Sequence, residues 1–565
     1  MDNIIFLILR RMRPPLLTLL VVYAVSILGL TLIPGRDADG NVWHMSFFHA
    51  FYFVSYMATT IGFGEIPYAF SEAQRFWVSL SLYASVVAWI YAFGTILALV
   101  QDRTFQEAVA EYRFARHIRK MREPFHLVCG YGETGTALVE SLTRRGHHAV
   151  IIDIDETRTS FVQLQELREY VPALHGDAAV TKHLQEAGLQ HPSCAGVVAL
   201  TDDNEVNLKI AITSKLLNPR IKVICRADSH DIEANMASFG TDHIVDPFDT
   251  FAARMAVAFQ APCHYLLQRW LTSPEGADLS EPVYPPRDGP WIVCGYGRFG
   301  KAICKRLKDE GIEVVVVEAH PERTGQPTGR FVSGRGTEAV TLQEAGVASA
   351  VGLVAGTDDD ANNLSIVMTA RELNPELFVV VRQNQHDNRE IIAAVDAEMV
   401  MQPSAIIADN IRALLATPLL HEFMALALFQ DDGWACELVS RVSALEQETV
   451  PRIREWVLNE ADSAAMHDYL QEGGSMTICD LQCDPWQRDN ALKCIVLLIE
   501  RPDERLLLPE PETELKPQDR LLLCGDRTAF TRMQWTVAQR HTLEYIKSGK
   551  DQPQGWLWRR LMKLQ

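Results

Sequence analysis

Two apolar runs of membrane-spanning length lie within the first hundred of the 565 residues. Residues 15–33 carry no charged side chain, and residues 76–100 form a second apolar run. A helix needs about 20 mainly apolar residues to cross a bilayer. An aromatic segment, residues 46–58, lies between the runs. After residue 120, short apolar strand-like runs alternate with amphipathic helical patterns. The pattern predicts a helical membrane part followed by a larger α/β part.

Basic residues predict how the two spans are oriented. Arg10, Arg11 and Arg13 precede the first span, and five basic residues follow the second, whereas the loop between the spans has two arginines against four acids. Lysine and arginine are enriched on the cytoplasmic side. We therefore predict that both termini are cytoplasmic in the inner (plasma) membrane of a bacterium or archaeon. Residues 1–13 are predicted to lie as an interfacial segment among the lipid headgroups.

A glycine-containing segment follows the aromatic segment between the spans. It consists of Thr60, Ile61, Gly62, Phe63, Gly64 and Glu65. One alternative is a turn in a soluble loop. The segment resembles the selectivity filter of potassium channels, whose backbone carbonyls replace the hydration shell of the ion. That resemblance implies that K⁺ binds the carbonyls of residues 60–63 and the Thr60 hydroxyl, and that four chains surround the ion. The pore is thus predicted to be a homotetramer in a lipid membrane.

The second span is predicted to line the inner pore and to continue as a helix into the linker. In potassium channels, a glycine midway along this helix often acts as a hinge. Here Ala92 stands at the usual hinge position, and Gly94 is the nearest glycine. Leu97 lies near the cytoplasmic end, where four leucines would close the pore by dewetting. The alternatives are a glycine that allows close helix packing and a leucine that faces lipid or another helix.

The soluble part contains one unit twice. Residues 126–135 recur as 291–300, residues 184–188 as 342–346, residues 201–203 as 357–359, and residues 226–230 as 382–386. Each copy has a strand, a GxGxxG loop, a helix and a second strand. That second strand ends in an acid 23 residues after the first glycine: Asp153 or Glu318. This combination is typical of a dinucleotide-binding βαβ unit.

Together with the pore, these copies resemble RCK domains (regulators of potassium conductance, also called KTN or TrkA-N domains). A two-span pore with two such units is similar to prokaryotic potassium channels of the GsuK type. The resemblance implies a tetrameric pore with two spans and a pore helix, two tandem Rossmann-type RCK domains, and a small α+β TrkA-C-like lobe on the second. It also implies a gating ring of eight RCK domains, paired by crossover helices at residues 246–271 and 402–428.

The predicted divisions follow from these features. They are the interfacial segment (1–13), the pore with filter 60–65 (14–103), a helical linker (104–123), the first RCK domain (124–280), the Rossmann lobe and crossover helices of the second (288–430), the TrkA-C-like lobe (431–540) and a tail (541–565).

Each copy has its own set of candidate nucleotide-binding residues. In the first copy these are Gly130, Gly132, Glu133, Thr134, Gly135, Asp153, Asp177, Ala178, Thr201 and Arg226. In the second they are Gly295, Gly297, Arg298, Phe299, Gly300, Glu318, Arg335 and Thr357. The first copy suits the adenosine end better, because Gly176, Asp177 and Ala178 resemble the residues that contact adenine in the family. Its Glu133 would repel a pyrophosphate, although Arg226 could offset that repulsion. The second suits the phosphates, because Arg298 replaces that acid. Both copies are predicted to bind NAD, NADH or ADP, with the alternative that one has lost its ligand.

Calcium is a further candidate ligand, although no defined site is predicted. The carboxylates near the first cleft are Asp155, Glu156, Asp177, Asp202, Asp203, Glu205 and Asp228. Calcium requires several oxygen ligands at one point, and the alternative is a solvated acidic face.

Composition limits the functions that remain. The net charge of −19 argues against nucleic-acid binding. Eleven cysteines form no CxxC motif and are expected to be reduced thiols in a cytosolic part. No HExxH, GxSxG or Walker motif is present, and no enzymatic activity is expected. The leading function is a potassium-selective channel gated by nucleotides. Two alternatives are a membrane-tethered NAD-dependent oxidoreductase and a regulatory subunit of a separate potassium transporter.

Overall fold

A computed structural model describes residues 2–162, 164–228, 230–273, 276–446 and 448–550. The chain divides into two compact units, Met1–Lys120 and Met121–Gln565. The residues of the predicted tail from 551 onward lie outside the described residues.

The first unit is helical. Its elements are α1 (Asp2–Leu32), the short strands β1 (Gly35–Arg36) and β2 (Val42–Trp43), α2 (Phe47–Ala58), α3 (Glu72–Gln101) and α4 (Arg103–Ile118). Residues Ile8–Leu32 and Glu72–Gln101 are long and apolar enough to cross a membrane. Helix α1 packs against α2 and α3, and Leu30 and Val54 are buried between these helices. The predicted arrangement of two spans with a pore helix between them is confirmed.

Helix α1 is continuous from Asp2, and the interfacial position of residues 1–13 stays a prediction. One detail of this unit differs from the predictions. The inner helix does not continue directly into the linker, because Asp102 has an extended backbone (φ −68°, ψ 121°). Its side chain accepts a hydrogen bond from the backbone N–H of Phe105 and caps the new helix α4.

The first Rossmann domain contains a six-stranded parallel sheet in the order β5-β4-β3-β6-β7-β8. Its elements are β3 (Phe125–Cys129), α5 (Glu133–Arg144), β4 (His148–Asp153), α6 (Glu156–Val162), β5 (Ala173–His175), α7 (Thr181–Glu186), β6 (Cys194–Ala199), α8 (Asn204–Leu217), β7 (Lys222–Arg226), α9 (His230–Ser238) and β8 (His243–Val245). The crossover helices α10 (Pro247–Gln260) and α11 (Pro262–Thr272) follow. The central strands are buried on both faces, which explains their continuous apolar sequence.

The second domain repeats this topology in the order β11-β10-β9-β12-β13-β14. Its elements are β9 (Trp291–Cys294), α12 (Arg298–Asp309), β10 (Val314–Glu318), α13 (Pro321–Thr324), β11 (Phe331–Ser333), α14 (Ala339–Glu344), a 3₁₀ turn (Val347–Ser349), β12 (Gly352–Ala355), α15 (Asp360–Leu373), β13 (Phe378–Arg382), a second 3₁₀ turn (His386–Asn388), α16 (Arg389–Ala393) and β14 (Met399–Met401). Its crossover helices are α17 (Pro403–Ala416) and α18 (Pro418–Ala427).

One crossover helix of each pair covers the Rossmann core of the other domain. In α10, Phe251 contacts Phe299 of the second domain at a ring-centroid distance of 5.7 Å. In α17, Ile407 and Ile411 are buried in the core of the first domain together with Leu138 of α5. This exchange pairs the two domains within one chain, as predicted from the crossover segments.

The C-terminal lobe is α+β, in agreement with the predicted fold class. It contains α19 (Asp432–Ser443), β15 (Arg452–Val457), α20 (Ala464–Gln471), α21 (Ile478–Gln482), β16 (Cys494–Glu500), β17 (Arg505–Leu507), β18 (Arg520–Gly525), α22 (Arg527–Ala538) and α23 (Arg540–Ser548). Its sheet is antiparallel, in the order β15-β18-β16-β17.

The expectation that the cysteines are reduced thiols is wrong for one pair. Cys263 of α11 and Cys436 of α19 form a disulfide. The other nine cysteines are free. Sequence spacing carries no signal for this bond, because its partners are 173 residues apart and meet only through helix packing.

Candidate functional site

The backbone alternates in handedness along the predicted filter. Thr60, Gly62 and Gly64 have φ angles of 60°, 65° and 74°, whereas Ile61 and Phe63 do not have positive φ. Such alternation lets successive carbonyls face the same side of an extended ribbon, which is the arrangement that coordinates a dehydrated cation. A left-handed conformation costs a non-glycine residue such as Thr60 roughly 1–2 kcal/mol. The sequence indicated the two glycines, but it carried no signal for the strained threonine.

Hydrogen bonds to helix α2 hold this ribbon in place. The last turn of this helix accepts hydrogen bonds from the filter backbone: Ile61 N–H donates to the Tyr56 carbonyl (3.0 Å) and Thr60 N–H to the Met57 carbonyl (3.0 Å). At the other end of the filter, the Tyr56 hydroxyl donates to the Glu65 carbonyl (2.9 Å). The Tyr52 hydroxyl donates to the Glu65 carboxylate (3.1 Å). The carbonyl end of α2 therefore points toward the filter, where the helix dipole favours a cation.

The two candidate gate residues lie on α3, which runs from Glu72 to Gln101 without interruption. The Leu97 side chain is 59% exposed in the single chain. A Cβ placed on Gly94 would meet no atom within 4 Å. Both positions therefore face away from the packed interior of the unit, and their roles as gate and hinge stay predictions.

The glycine loops of the two Rossmann domains are built alike. In the second domain, Glu318 accepts hydrogen bonds from the backbone N–H groups of Tyr296 (2.6 Å) and His320 (2.8 Å). In the first, Asp153 accepts from Tyr131 and Asp155 in the same way. The two acids, assigned by sequence to a ribose, thus also fix the shape of the glycine loop.

A cavity of about 580 Å³ opens above the glycine loop of the second domain. Six of its predicted ligand residues line the cavity: Gly295, Gly297, Arg298, Glu318, Arg335 and Thr357. Three basic residues that were not predicted also line it: His320, Arg323 and Arg382. Arg323 follows Glu318 by five residues, and Arg158 follows Asp153 by the same interval. The equal offset in both copies was the available signal for these arginines.

Two predicted ligand residues are core residues. Phe299 is fully buried and contacts Phe248 and Phe251 of α10. Thr134, at the equivalent position of the first domain, is also buried. The Phe299 side chain stabilises the crossover packing, and burial makes both side chains unavailable to a ligand. Gly300 and Gly135 lie directly beneath the first glycine of their loops, and a Cβ at either would lie within 2.2 Å of a backbone oxygen.

In the first domain, two of the predicted ligand residues lie against the second domain. Gly132 and Glu133 line a cavity of about 840 Å³ whose far wall belongs to residues of the second domain, including His386. The Glu133 carboxylate accepts a hydrogen bond from the His386 backbone N–H (3.1 Å). This acid, expected to face a pyrophosphate, therefore contacts the neighbouring domain.

Other predicted residues of the first domain have local partners. The Asp177 carboxylate accepts from the Ala179 N–H (2.8 Å), and Ala178 beside it is buried. Arg226 forms an ion pair with Asp202 (2.9 Å). These side chains lie beside the ends of the strands, and their contact with a nucleotide stays a prediction.

Family comparisons agree with this architecture. A model described as an ion channel matches residues 16–102, and the model of the TrkA-N domain matches residues 126–247 and 291–403. The chain is an ion-channel module joined to two TrkA-N domains. The module and its two spans assign the chain to a membrane.

Similar proteins are distant. Potassium channel protein 1 of Methanocaldococcus jannaschii is 27% identical over 206 residues, covering 36% of this chain and 59% of that protein. Probable potassium channel protein 2 of the same organism is 22% identical over 241 residues, covering 42% and 63%. The chain thus spans less than two thirds of the length of these relatives. The match to the solved GsuK channel covers 95% of this chain and 99% of the GsuK chain, with 18% identity and a TM-score of 0.49.

A buried asparagine joins two strand ends in each TrkA-N domain. Asn363 accepts from the N–H of Thr357 (2.9 Å) and from its hydroxyl (2.7 Å), and its amide donates to the Thr357 carbonyl (3.1 Å) and the Arg382 carbonyl (2.8 Å). Asn207 makes the same four contacts with Thr201 and Arg226. Sequence reasoning missed this pair, although each asparagine follows the repeated threonine by six residues.

Charges connect the cavity of the second TrkA-N domain to the first. Arg298 forms an ion pair with Asp228 of the first domain, whose side chain is only 5% exposed. The guanidinium groups of Arg298 and Arg382 lie over the Phe248 ring, 5.4 and 5.0 Å from its centroid. Burial lowers the pKa of Arg382; the charge of Asp358 opposes this shift, and the nearby charge of Arg298 adds to it. An anion near Arg298 and Arg382 would offset their mutual repulsion.

Three of the acidic residues considered for calcium have partners within the protein, and a calcium site stays a prediction. Asp203 caps α8 by accepting from the N–H groups of Glu205 and Val206, and Asp202 is paired with Arg226. Asp228 contacts Asn204 and Arg298. Among the described residues, the group of potential metal ligands that converges is a different one: Cys263, Asp432 and Cys436.

Proposed function

We propose that four copies of this chain form a potassium-selective channel whose opening is controlled by an adenine nucleotide bound to the TrkA-N domains. The main support for a pore is the backbone of residues 60–64, in which residues with positive φ alternate with residues without it. This segment follows α2 and lies between the two spans. One chain supplies one wall of the filter, so the ion path requires a ring of chains. The soluble unit lies on the cytoplasmic side with both termini.

The ligand class follows from the cavity of the second domain. Its volume of about 580 Å³ lies within the range of about 300–1,000 Å³ that small-molecule sites occupy. Four arginines line it: Arg298, Arg323, Arg335 and Arg382. The N-terminus of α12 adds unpaired N–H groups beside the glycine loop. This concentration of positive charge favours the phosphates of ADP, NAD or NADH.

The contact between Arg298 and Asp228 supports a route from binding to gating. A phosphate that accepts hydrogen bonds from Arg298 competes with Asp228, which belongs to the other TrkA-N domain. Binding then favours the arrangement of the two domains in which the ion pair is weakened. The ligand biases the channel only by its difference in affinity for the two arrangements. The first domain and calcium contribute a second level of control in this proposal, without an assigned site.

The deciding experiment is ion flux from liposomes that contain the purified full-length protein. Potassium flux is expected to exceed sodium flux strongly and to change when ADP, NAD or NADH is added singly, with ATP and Ca²⁺ tested in parallel. Gly62→Ala is the matched control. Its backbone φ of 65° disfavours alanine, so flux should be lost while nucleotide binding is retained. Equal passage of sodium and potassium, or no passage with any effector, would refute the channel.

No chemical step is part of this proposal. The alternative of an NAD-dependent oxidoreductase is tested on the same protein by following NADH absorbance. Sustained turnover of NADH would overturn the assignment of the nucleotide as a regulator.

A further inference from the structure

The disulfide connects two parts of the soluble unit that are remote in sequence. Cys263 lies in the first turn of α11, after the first TrkA-N domain, and Cys436 lies in α19, the first helix of the C-terminal lobe. Their Cα atoms are 5.0 Å apart. The bond therefore fastens the C-terminal lobe to the crossover helices of the first domain.

The two helices are also held together by other contacts. The His264 backbone N–H donates to the Asp432 carboxylate (3.1 Å). The His264 ring lies 2.9 Å from the Ala427 carbonyl through Nε2 and 3.2 Å from Asp432 through Nδ1. Leu267 and Leu438 are buried in the same core cluster. Because these contacts do not depend on the S–S bond, the two thiols should stay adjacent after reduction.

Cys263 and Cys436 are more exposed to solvent than most of the other cysteines. Cys436 is exposed and Cys263 is half-buried. Seven of the nine free cysteines are buried, and burial raises the pKa of thiols such as Cys225 and Cys304 to about 12. Since the thiolate is the reactive form, those buried thiols are inert. The bonded pair, in contrast, can be reached by a small reagent.

We propose that Cys263 and Cys436 form a reversible oxidation site at which a low-molecular-weight disulfide cross-links the C-terminal lobe to crossover helix α11 and alters the nucleotide response. The inference rests on the proposed function for the cytoplasmic surroundings, where thiols are normally kept reduced, and for the altered response. The Cys436 thiolate attacks one sulfur of the reagent, a mixed disulfide forms and one thiolate leaves. Cys263 then attacks the Cys436 sulfur and displaces the second. Two protein thiols are oxidised, and one reagent disulfide is reduced to two thiols.

A carboxylate lies next to the sulfurs. The Asp432 oxygen and both sulfur atoms lie within 4.8 Å of one another. Because a carboxylate and two thiolates are also ligands that Zn²⁺ accepts, metal binding by the reduced protein is the competing interpretation that the test separates.

The test is a redox titration of the full-length protein in liposomes, using mixtures of reduced and oxidised glutathione. Free thiols are trapped by alkylation, and cross-linked peptides are measured by mass spectrometry. The fraction of protein that contains the Cys263–Cys436 bond should fall from about nine tenths to one tenth as the ratio of the squared concentration of reduced glutathione to the concentration of oxidised glutathione rises roughly 100-fold. That steepness is expected for a two-electron couple. This measurement does not require channel activity, so its result stands even if the proposed function fails.

Variants complete the design. Cys263→Ser and Cys436→Ser should each remove the cross-link, whereas Cys479→Ser, at an exposed free cysteine, should leave it unchanged. A pair that never forms the bond, or that cannot be reduced without unfolding, overturns the proposal. So does stoichiometric Zn²⁺ on the reduced protein that is lost in Cys263→Ser, because the three groups would then be a metal site. Identical potassium flux of the oxidised and reduced proteins at every ADP concentration overturns the regulatory part alone.

Discussion

Replacing Gly297 with alanine separates nucleotide binding from folding in the second TrkA-N domain. Gly297 caps α12 with φ −69° and ψ −164°, a conformation that alanine also adopts. A Cβ at this position meets no atom within 4 Å. The free energy of unfolding should therefore stay unchanged or rise by about 0.4–1 kcal/mol, because alanine reduces the entropy of the unfolded chain.

The same methyl group should obstruct the ligand. If the phosphates lie against the N-terminus of α12, the Cβ occupies the space through which they approach the backbone N–H groups. Loss of one hydrogen bond to a charged group costs about 1.5–3 kcal/mol. Affinity for ADP or NAD should then fall roughly 10- to 100-fold.

Calorimetric titration and thermal unfolding of the full-length protein measure the two quantities. Gly132→Ala is the matched control in the first domain, where the Cβ would lie at an ordinary 3.6 Å from Arg158. It should leave phosphate binding in the second domain intact. Gly300→Ala should instead lower the unfolding temperature, because its Cβ would lie 1.9 Å from the Gly295 oxygen. Unchanged nucleotide affinity in Gly297→Ala would refute the assigned position of the phosphates.

Three further perturbations follow from the structure. Leu97→Asp should raise the open probability in single-channel recordings, because a pore lined by four carboxylates at this level stays filled with water. Unaltered gating would exclude Leu97 as the gate. Asn363→Ala should cost roughly 2–4 kcal/mol in denaturant unfolding and weaken ADP binding, since four buried hydrogen bonds are lost. Asn207→Ala should cost similar stability without affecting ADP binding in the second domain. Burial lowers the pKa of His126 from 6.5 to about 4, with nearby His147 and Lys222 acting in the same direction. The unfolded chain therefore binds a proton first, and stability present above pH 6.5 should be lost toward pH 4, by up to roughly 3 kcal/mol. His126→Gln should flatten that slope in unfolding measured against pH, and an unchanged slope would contradict this origin.

Local patterns in the sequence were sufficient for the elements and their order. Two apolar runs predicted the spans, because a helix that crosses a bilayer must satisfy its backbone internally and present apolar side chains. The repeated GxGxxG loops, with an acid 23 residues on, predicted the two Rossmann sheets, since each part of that unit is short-range in sequence. Gly62 and Gly64 indicated the filter for the same reason.

Tertiary structure decided which side chains can contact a ligand and which are buried or bonded to another part of the chain. Phe299 belongs to a ligand motif by sequence, but helix α10 from the other domain buries it. Glu133 contacts His386 through the same pairing of domains. Cys263 and Cys436 are bonded because α11 and α19 pack together, although the two cysteines are 173 positions apart in sequence. Contacts between segments so distant in sequence depend on how helices exchange between domains, and a single sequence contains no periodic or local signal for that exchange.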